Sequence, residues 1–368
     1  MMGSSTSKGA PLSLQQPQAA KEALSRAFKV PLVPVIVGVV LLAVAVGVSL
    51  TSGAAGLEIA EFVDVMFAEI PGVGSGSHLG DPVADLLWQI RFPRTVLALM
   101  VGAALSVAGA SYQGVFHNPL ADPYLLGASA GAGVGAVLAL GFGVQFTVGP
   151  FEAVPLAAFV GALLAVAGSV LVARGSFFDP STLLLAGVAV SSLCSATQAY
   201  LLQQLDQTRS REVLSWIFGR LAGDGWTPVV TFLPYFVVSV VVLLPQARWL
   251  DVLRLGDEQA RSLGVNAARV RCVVIAAATF LTAAAVAVSG LIGFVGLVVP
   301  HVVRLVASHS YRAILPLSGL FGAGFLLLVD VGARTVSAPA ELPIGVITAF
   351  VGAPFFAFIL WRRKRVSV

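Results

Sequence analysis

The sequence predicts an all-α polytopic membrane protein of about ten transmembrane helices, and three observations carry that prediction. Hydrophobic residues make up 57% of the 368 residues and charged residues only 11%, and mean hydropathy is +0.93. Long apolar runs with few charges recur along the chain, as helices that cross a bilayer require. Glycine is abundant, at 38 residues, which suits helices that approach one another closely in lipid. A transmembrane β-barrel would instead show alternating segments of about ten residues, and the sequence lacks them.

Residues 1–30 are polar and rich in Ser, Gln and Ala, so they read as a disordered cytoplasmic segment without a cleavable leader. Apolar spans follow near 31–51, 93–112, 124–143, 150–173, 181–203, 228–246, 271–289, 292–306, 313–336 and 343–361. They form one domain, 31–361, with a basic cytoplasmic tail at 362–368. An even number of spans puts both termini on one side. Arg91, Arg94, Arg209, Arg211, Arg220 and Arg334 are the only six of 22 basic residues on the opposite side, so the side holding the other 16 is cytoplasmic.

Two outer segments carry amphipathic patterns. LEIAEFVDVMFAEI (57–70) alternates acidic and apolar residues at helical spacing and is expected to lie flat at the interface. REVLSWIFGRLAG (211–223) offers Trp216 and Phe218 as an interfacial anchor.

Some spans are broken. In FHNPLADPYLLGASAGAGVGA (116–136), Asn118 and Asp122 bring turn chemistry immediately before Pro119 and Pro123. Non-helical backbone at membrane depth is tolerated only when protein shields it or when it lines a cavity. GLIGFVGLVVPHVVRLV (290–306) repeats the device with glycines, Pro300 and His301. Stretches 101–120 and 282–301 echo each other weakly, as an inverted repeat would. The segment RLGDEQARSLGVNAARVR (254–271) carries charges of both signs between apolar runs. Asp257 can cap a short helix, Gly264 can stop it, and Asn266 can start the next. That start-stop-start pattern makes a compact docking knob on the cytoplasmic face.

The chemistry of the chain is sparse. It has no nucleophile–histidine–acid set, no HExxH helix, no CxxC and no GxxxxGK[ST], so it cannot hydrolyse ATP by a P-loop mechanism itself. No catalytic residue, metal site or resident cofactor is expected. Cys194 and Cys272 fall at different membrane levels, which disfavours a disulfide, and two thiols do not build a zinc site. His117 and His301 read as hydrogen-bonded structure rather than as ligands. A pI near 9.3 reflects membrane topology, not nucleic acid. Asp330, the main carboxylate deep in a span, pairs with Arg334 at helical spacing. A stand-alone proton-coupled transporter would need more intramembrane carboxylates.

Residues 85–361 resemble the permease subunits of type II ABC importers for ferric siderophores, haem and cobalamin. RFPRTVLALMVGAALSVAGASYQGVFHNPLADPYLLGAS, LLLAGVAVSSLCSA, LGDEQARSLGV, GLIGFVGLVVPHVVRL, LLLVDVGAR and ELPIGVITAFVGAPFF stand in that family's order. The resemblance implies a multi-pass subunit of the bacterial inner membrane, paired with a second permease, usually a copy of itself. Two cytoplasmic ATPase subunits, which bind ATP and Mg, would sit below, and an extracytoplasmic binding protein would dock above. It implies that Arg254, Asp257, Glu258, Arg261 and Gly264 form the ATPase-coupling element. Asn118, Leu120, Ser181 and Thr182 would form cytoplasmic gates, although Pro180 replaces a more polar family residue. Arg91, Arg94 and Arg334 match outer arginines that meet carboxylates of the binding protein. The implied cargo is an iron chelate, ferric siderophore first, with haem or cobalamin as the alternative.

Overall fold

The computed structural model describes residues 31–52, 82–144, 146–148, 151–174, 179–221, 225–307 and 309–366. The expected N-terminal segment 1–30, the amphipathic stretch 57–70 and the end of the tail lie outside them. Each of the ten expected spans falls on a helix. They are α1 (Leu32–Thr51), α2 (Pro82–Val115), α3 (Ala128–Gly141), α4 (Ala153–Val172), α5 (Pro180–Gln203), α7 (Thr227–Leu253), α9 (Ala267–Ser289), α10 (Val295–Val306), α11 (Tyr311–Thr335) and α12 (Ile344–Val366). Two shorter helices, α6 (Gln207–Ile217) and α8 (Asp257–Ser262), lie between them. The all-α expectation meets one small exception: β1 (Thr147–Val148) pairs antiparallel with β2 (Phe151–Glu152).

Helix α2 is the central post. It is buried along most of its length, with α7, α9, α10 and α11 packed around it. Small residues set these distances. A Cβ on Gly109 would lie 2.0 Å from the carbonyl oxygen of Gly296 in α10, and one on Gly102 would lie 2.3 Å from that of Gly322 in α11. No side chain fits there, so the α2 backbone rests directly on its neighbours. The small-residue run 127–136 does the same for α3, which packs on α4 and α5. At 34 residues, α2 accommodates a π-helical stretch at Leu86–Arg91.

Side chains start several helices. The carboxylates of Asp179 and Asp206 accept from Ser181 N at 3.0 Å and Arg209 N at 2.9 Å, and Asn266 Oδ1 accepts from Arg269 N at 3.0 Å. The turn between α2 and α3 is built as the prolines suggested. Asn118 Oδ1 accepts from Leu120 N at 2.9 Å, Asp122 Oδ1 accepts from Tyr124 N at 2.8 Å, and Pro123 opens a 3-10 turn, Pro123–Leu126.

Two sequence expectations are corrected. Pro300 sits inside α10 without ending it. The interruption of 290–306 comes earlier, at Gly290 (φ 68°) and Phe294 (φ 68°). Residues 101–120 leave their helix after Val115 and residues 282–301 leave theirs after Ser289, but only the second stretch resumes a helix, α10, before its proline. Trp216 is no interfacial anchor. It is buried, and its carbonyl lies where a Cβ on Gly290 would need to sit. Segment 218–221 instead stitches helix ends together, with Arg220 N donating to Ser289 O (2.8 Å) and Ile344 N to Gly219 O (3.1 Å).

Candidate functional site

The candidate residues gather at the two ends of the bundle. One end holds the 116–122 turn, the start of α5, the α7–α8–α9 corner and the start of α11. The other holds the end of α1, the start of α2 and the 336–343 segment.

At the first end, α7 stops at Leu253 and Gly256 turns the chain with φ 100°. Gly256, not Asp257, occupies the cap position of α8. Asp257 is released for another task. Its two carboxylate oxygens take Arg271 Nη1 at 2.9 Å and Nη2 at 2.7 Å, a forked pair. Arg271 lies on α9 and is buried, and its guanidinium holds the Asp257 carboxyl below the usual carboxylate range. The short helix is therefore clamped to the base of a long one. Gly264, at φ 77°, then reverses the chain, and no other atom lies within 4 Å of a Cβ placed there. Arg254, Glu258 and Arg261 are exposed on this knob, flanked by Leu255 and Leu263, which are 59% and 61% exposed. Charged and apolar side chains therefore stand exposed side by side on the knob.

The same end holds the candidate gates. Leu120 is exposed and Asn118 half-buried beneath it. His117 immediately before them has φ 49°, an uncommon backbone state for a residue with a side chain. Burial, followed by the neighbouring Arg271 cation, pulls the His117 imidazole below its ordinary pKa. Ser181 and Thr182 are exposed in the first turn of α5, and the Asp179 carboxylate accepts from Ser181 N and Thr182 Oγ1. Each pair closes its own turn. Asp251 adds a tie that sequence reasoning missed, accepting from Ser310 Oγ at 2.6 Å and Tyr311 N at 2.7 Å, which binds the end of α7 to the start of α11.

At the opposite end the three arginines are drawn inward. Arg94 gives Nε and Nη2 to Asp330 Oδ1 at 3.0 and 2.9 Å, and Nη1 and Nη2 to Glu341 at 2.8 and 3.0 Å. Arg334 Nε lies 3.0 Å from Asp330 Oδ2, while its Nη groups reach Ser52 O (3.1 Å) and Ser49 Oγ (3.0 Å). Arg91 is buried and donates to Leu50 O. Asp330, which is fully buried, thus holds two arginines where the sequence expected one. Glu341 was missed; its only signal was an acidic residue opening the ELPIG stretch.

The comparisons with known proteins now bear on this arrangement. The FecCD transport family matches residues 41–362. This chain belongs to that family. The permease is 40% identical over 333 residues to an uncharacterized ABC transporter permease of Bacillus subtilis (strain 168), YvrB, covering 90% of this chain and 94% of that one. It is 44% identical over 280 residues to the cobalamin import system permease BtuC of Halobacterium salinarum, covering 76% and 74%. With the hemin transport system permease HmuU of Yersinia pestis it shares 38% over 286 residues, covering 76% and 85%. A solved structure described as an inward-facing conformation of a metal-chelate type ABC transporter superposes with TM-score 0.76 at 31% identity, covering 89% of this chain and 98% of the other. The FecCD permease is accordingly a multi-span membrane subunit of the ABC transporter class.

Proposed function

We propose that this FecCD permease carries an iron chelate, ferric siderophore foremost, from an extracytoplasmic binding protein across the bacterial inner membrane. Relatives named for cobalamin, hemin and Fe(3+)-citrate support a metal-chelate cargo, and haem or cobalamin is the alternative. ATP is hydrolysed by two partner ATPase subunits, and a second copy of this chain completes the pathway. With most Lys and Arg at the α8 end, that end and both termini face the cytoplasm.

The observation that carries the reading is the clamp at α8. A short exposed helix, pinned through Asp257 to Arg271 on α9, transmits a push as a rigid body where a loose loop would absorb it. An ATPase groove that closes around α8 moves the foot of α9, which packs on α2. Helix α2 leads directly into Asn118 and Leu120, which with Ser181 and Thr182 form the inner gate. On the outer side binding-protein carboxylates reach Arg94 by displacing the half-exposed Glu341 from it, and Arg91 and Arg334 hold the helix ends beneath it.

A secondary-transport reading fares less well, because Asp330 is neutralised by two arginines rather than poised to exchange a proton. The test is chelate binding by the partner protein, followed by uptake in cells lacking and regaining this permease. Ferric siderophore uptake that returns with the native chain and stays absent with Asp257→Ala supports the proposal. Cobalamin or haem uptake alone would transfer it to the alternative cargo.

A further inference from the structure

A pocket of about 390 Å³ opens at the α8 end between the foot of α2, the end of α7, α10 and the start of α11. Its wall includes Arg254, Arg304, His117, His301, His309 and Gln113, and no acidic residue among the described residues. Two buried polar atoms on that wall have no hydrogen-bond partner among the described residues, Arg304 Nη1 and Gln113 Oε1. Among the described residues Arg304 otherwise reaches the Tyr311 hydroxyl, at 3.5 Å, with its guanidinium 5.8 Å from the Tyr311 ring. Gln113 is 1% exposed, and its amide nitrogen is already given to Gly296 O at 3.1 Å. The pocket therefore presents a buried cationic donor that lacks an anion and a buried acceptor that lacks a donor. Either is costly to leave unmet. Beside the mouth, Leu305 and Val306 at the end of α10 are 69% and 61% exposed, an apolar strip where a transmembrane helix ends.

We propose that this pocket binds the headgroup of an anionic glycerophospholipid of the inner leaflet, phosphatidylglycerol in type. The phosphate meets Arg304, a headgroup hydroxyl donates to Gln113 Oε1, and the acyl chains lie along Leu305 and Val306. Basic pockets between transmembrane helices on the cytoplasmic side suit such headgroups. The cationic lining disfavours ethanolamine, and choline has no proton to donate. The inference rests on the cytoplasmic assignment of the α8 end made above. It also gives lipid a position behind the gate turn, because His117 and Pro119 on the pocket wall flank Asn118.

The test uses the full chain in detergent, with native mass spectrometry for retained lipid and a thermal melt. Phosphatidylglycerol should leave a bound lipid and raise the melting temperature, phosphatidylcholine should do neither, and Arg304→Gln should reduce binding at least tenfold. Arg304→Lys, which keeps the charge, should restore part of it. If Arg304→Gln does not fold, His309→Glu places a negative charge at the exposed rim and should also expel the lipid. Stabilisation by inorganic phosphate alone, equal to that by the lipid, would overturn the lipid assignment in favour of a soluble anion. Equal retention of phosphatidylcholine, or lipid binding unchanged in Arg304→Gln and His309→Glu, would overturn the site. Neither result bears on the cargo or on ATP coupling, which uptake assays read separately.

Discussion

Replacing Asp330 by Asn changes few atoms but removes the charge on which the outer arginine cluster depends. Asp330 is fully buried and faces Arg94 at 2.9 Å and Arg334 at 3.0 Å, with those side chains only 15% and 9% exposed. In the variant, two largely desolvated guanidinium groups keep one nearby carboxylate, Glu341, which is 47% exposed. Breaking a buried pair from one side costs about 3–5 kcal/mol, a large share of a typical stability of about 5–15 kcal/mol. For a chain of 368 residues the melting temperature should fall by roughly 5 °C. Glu341→Gln removes only the half-exposed partner, worth about 0–1 kcal/mol, and should melt within a degree or two of the native protein. Asp330→Asn combined with Arg334→Gln should recover part of the loss, because one stranded cation is gone. Thermal melts of the purified protein in one detergent compare all four. An Asp330→Asn protein as stable as the native one, or no less stable than Glu341→Gln, would refute the claim that these arginines are anchored from within.

Other expectations concern the α8 end. Gly264→Val meets no clash, since nothing lies within 4 Å, but it forces a β-branched residue to φ 77° at a cost of about 1–2 kcal/mol. The protein should reach the membrane while ATP-driven uptake falls several-fold, and normal uptake would remove the coupling role from this turn. Cysteines at Asn118 or Leu120 should crosslink between two permease copies at rest and lose the crosslink in at least one nucleotide state; a nucleotide-independent crosslink would mean static packing. The pH response should come in two stages. His117 is depressed, so the fold favours its neutral form; stability is complete above about pH 6.5 and is lost as pH falls toward the lower folded value. Asp257 is also depressed, so its contribution is complete above about pH 4 and lost only as pH falls through its still lower folded value. Hydrogen exchange at pH 5.5 should therefore loosen the 116–122 turn while α8 stays protected, and simultaneous loosening would contradict the assignment.

The fold was largely legible because a bilayer imposes a simple length and polarity rule, which seven helices meet while α3, α10 and α12 are shorter apolar helices among the described residues. Local punctuation was legible where a side chain acts on its own turn, as at Asn118, Asp122, Gly264 and Asn266. Distant partners were hidden. Nothing in the order of residues tells Asp257 that Arg271 will take its carboxylate and leave the cap to Gly256, or brings Arg94 to Asp330 across two helices. Trp216 misled because an aromatic residue near an apolar boundary suits an anchor and a core equally, and only the contact with Gly290 decides. Pro300 misled similarly, since surrounding helices hold α10 together through a proline that would break an isolated helix.

The most direct measurement of the central claim is chelate uptake by sealed vesicles rebuilt from this permease, its ATPase and its binding protein. Uptake of a radiolabelled ferric siderophore should require all three components and hydrolysable ATP, persist when ion gradients are collapsed, and fail with Asp257→Ala. Uptake by the permease alone, driven by a proton gradient and indifferent to ATP, would contradict the account.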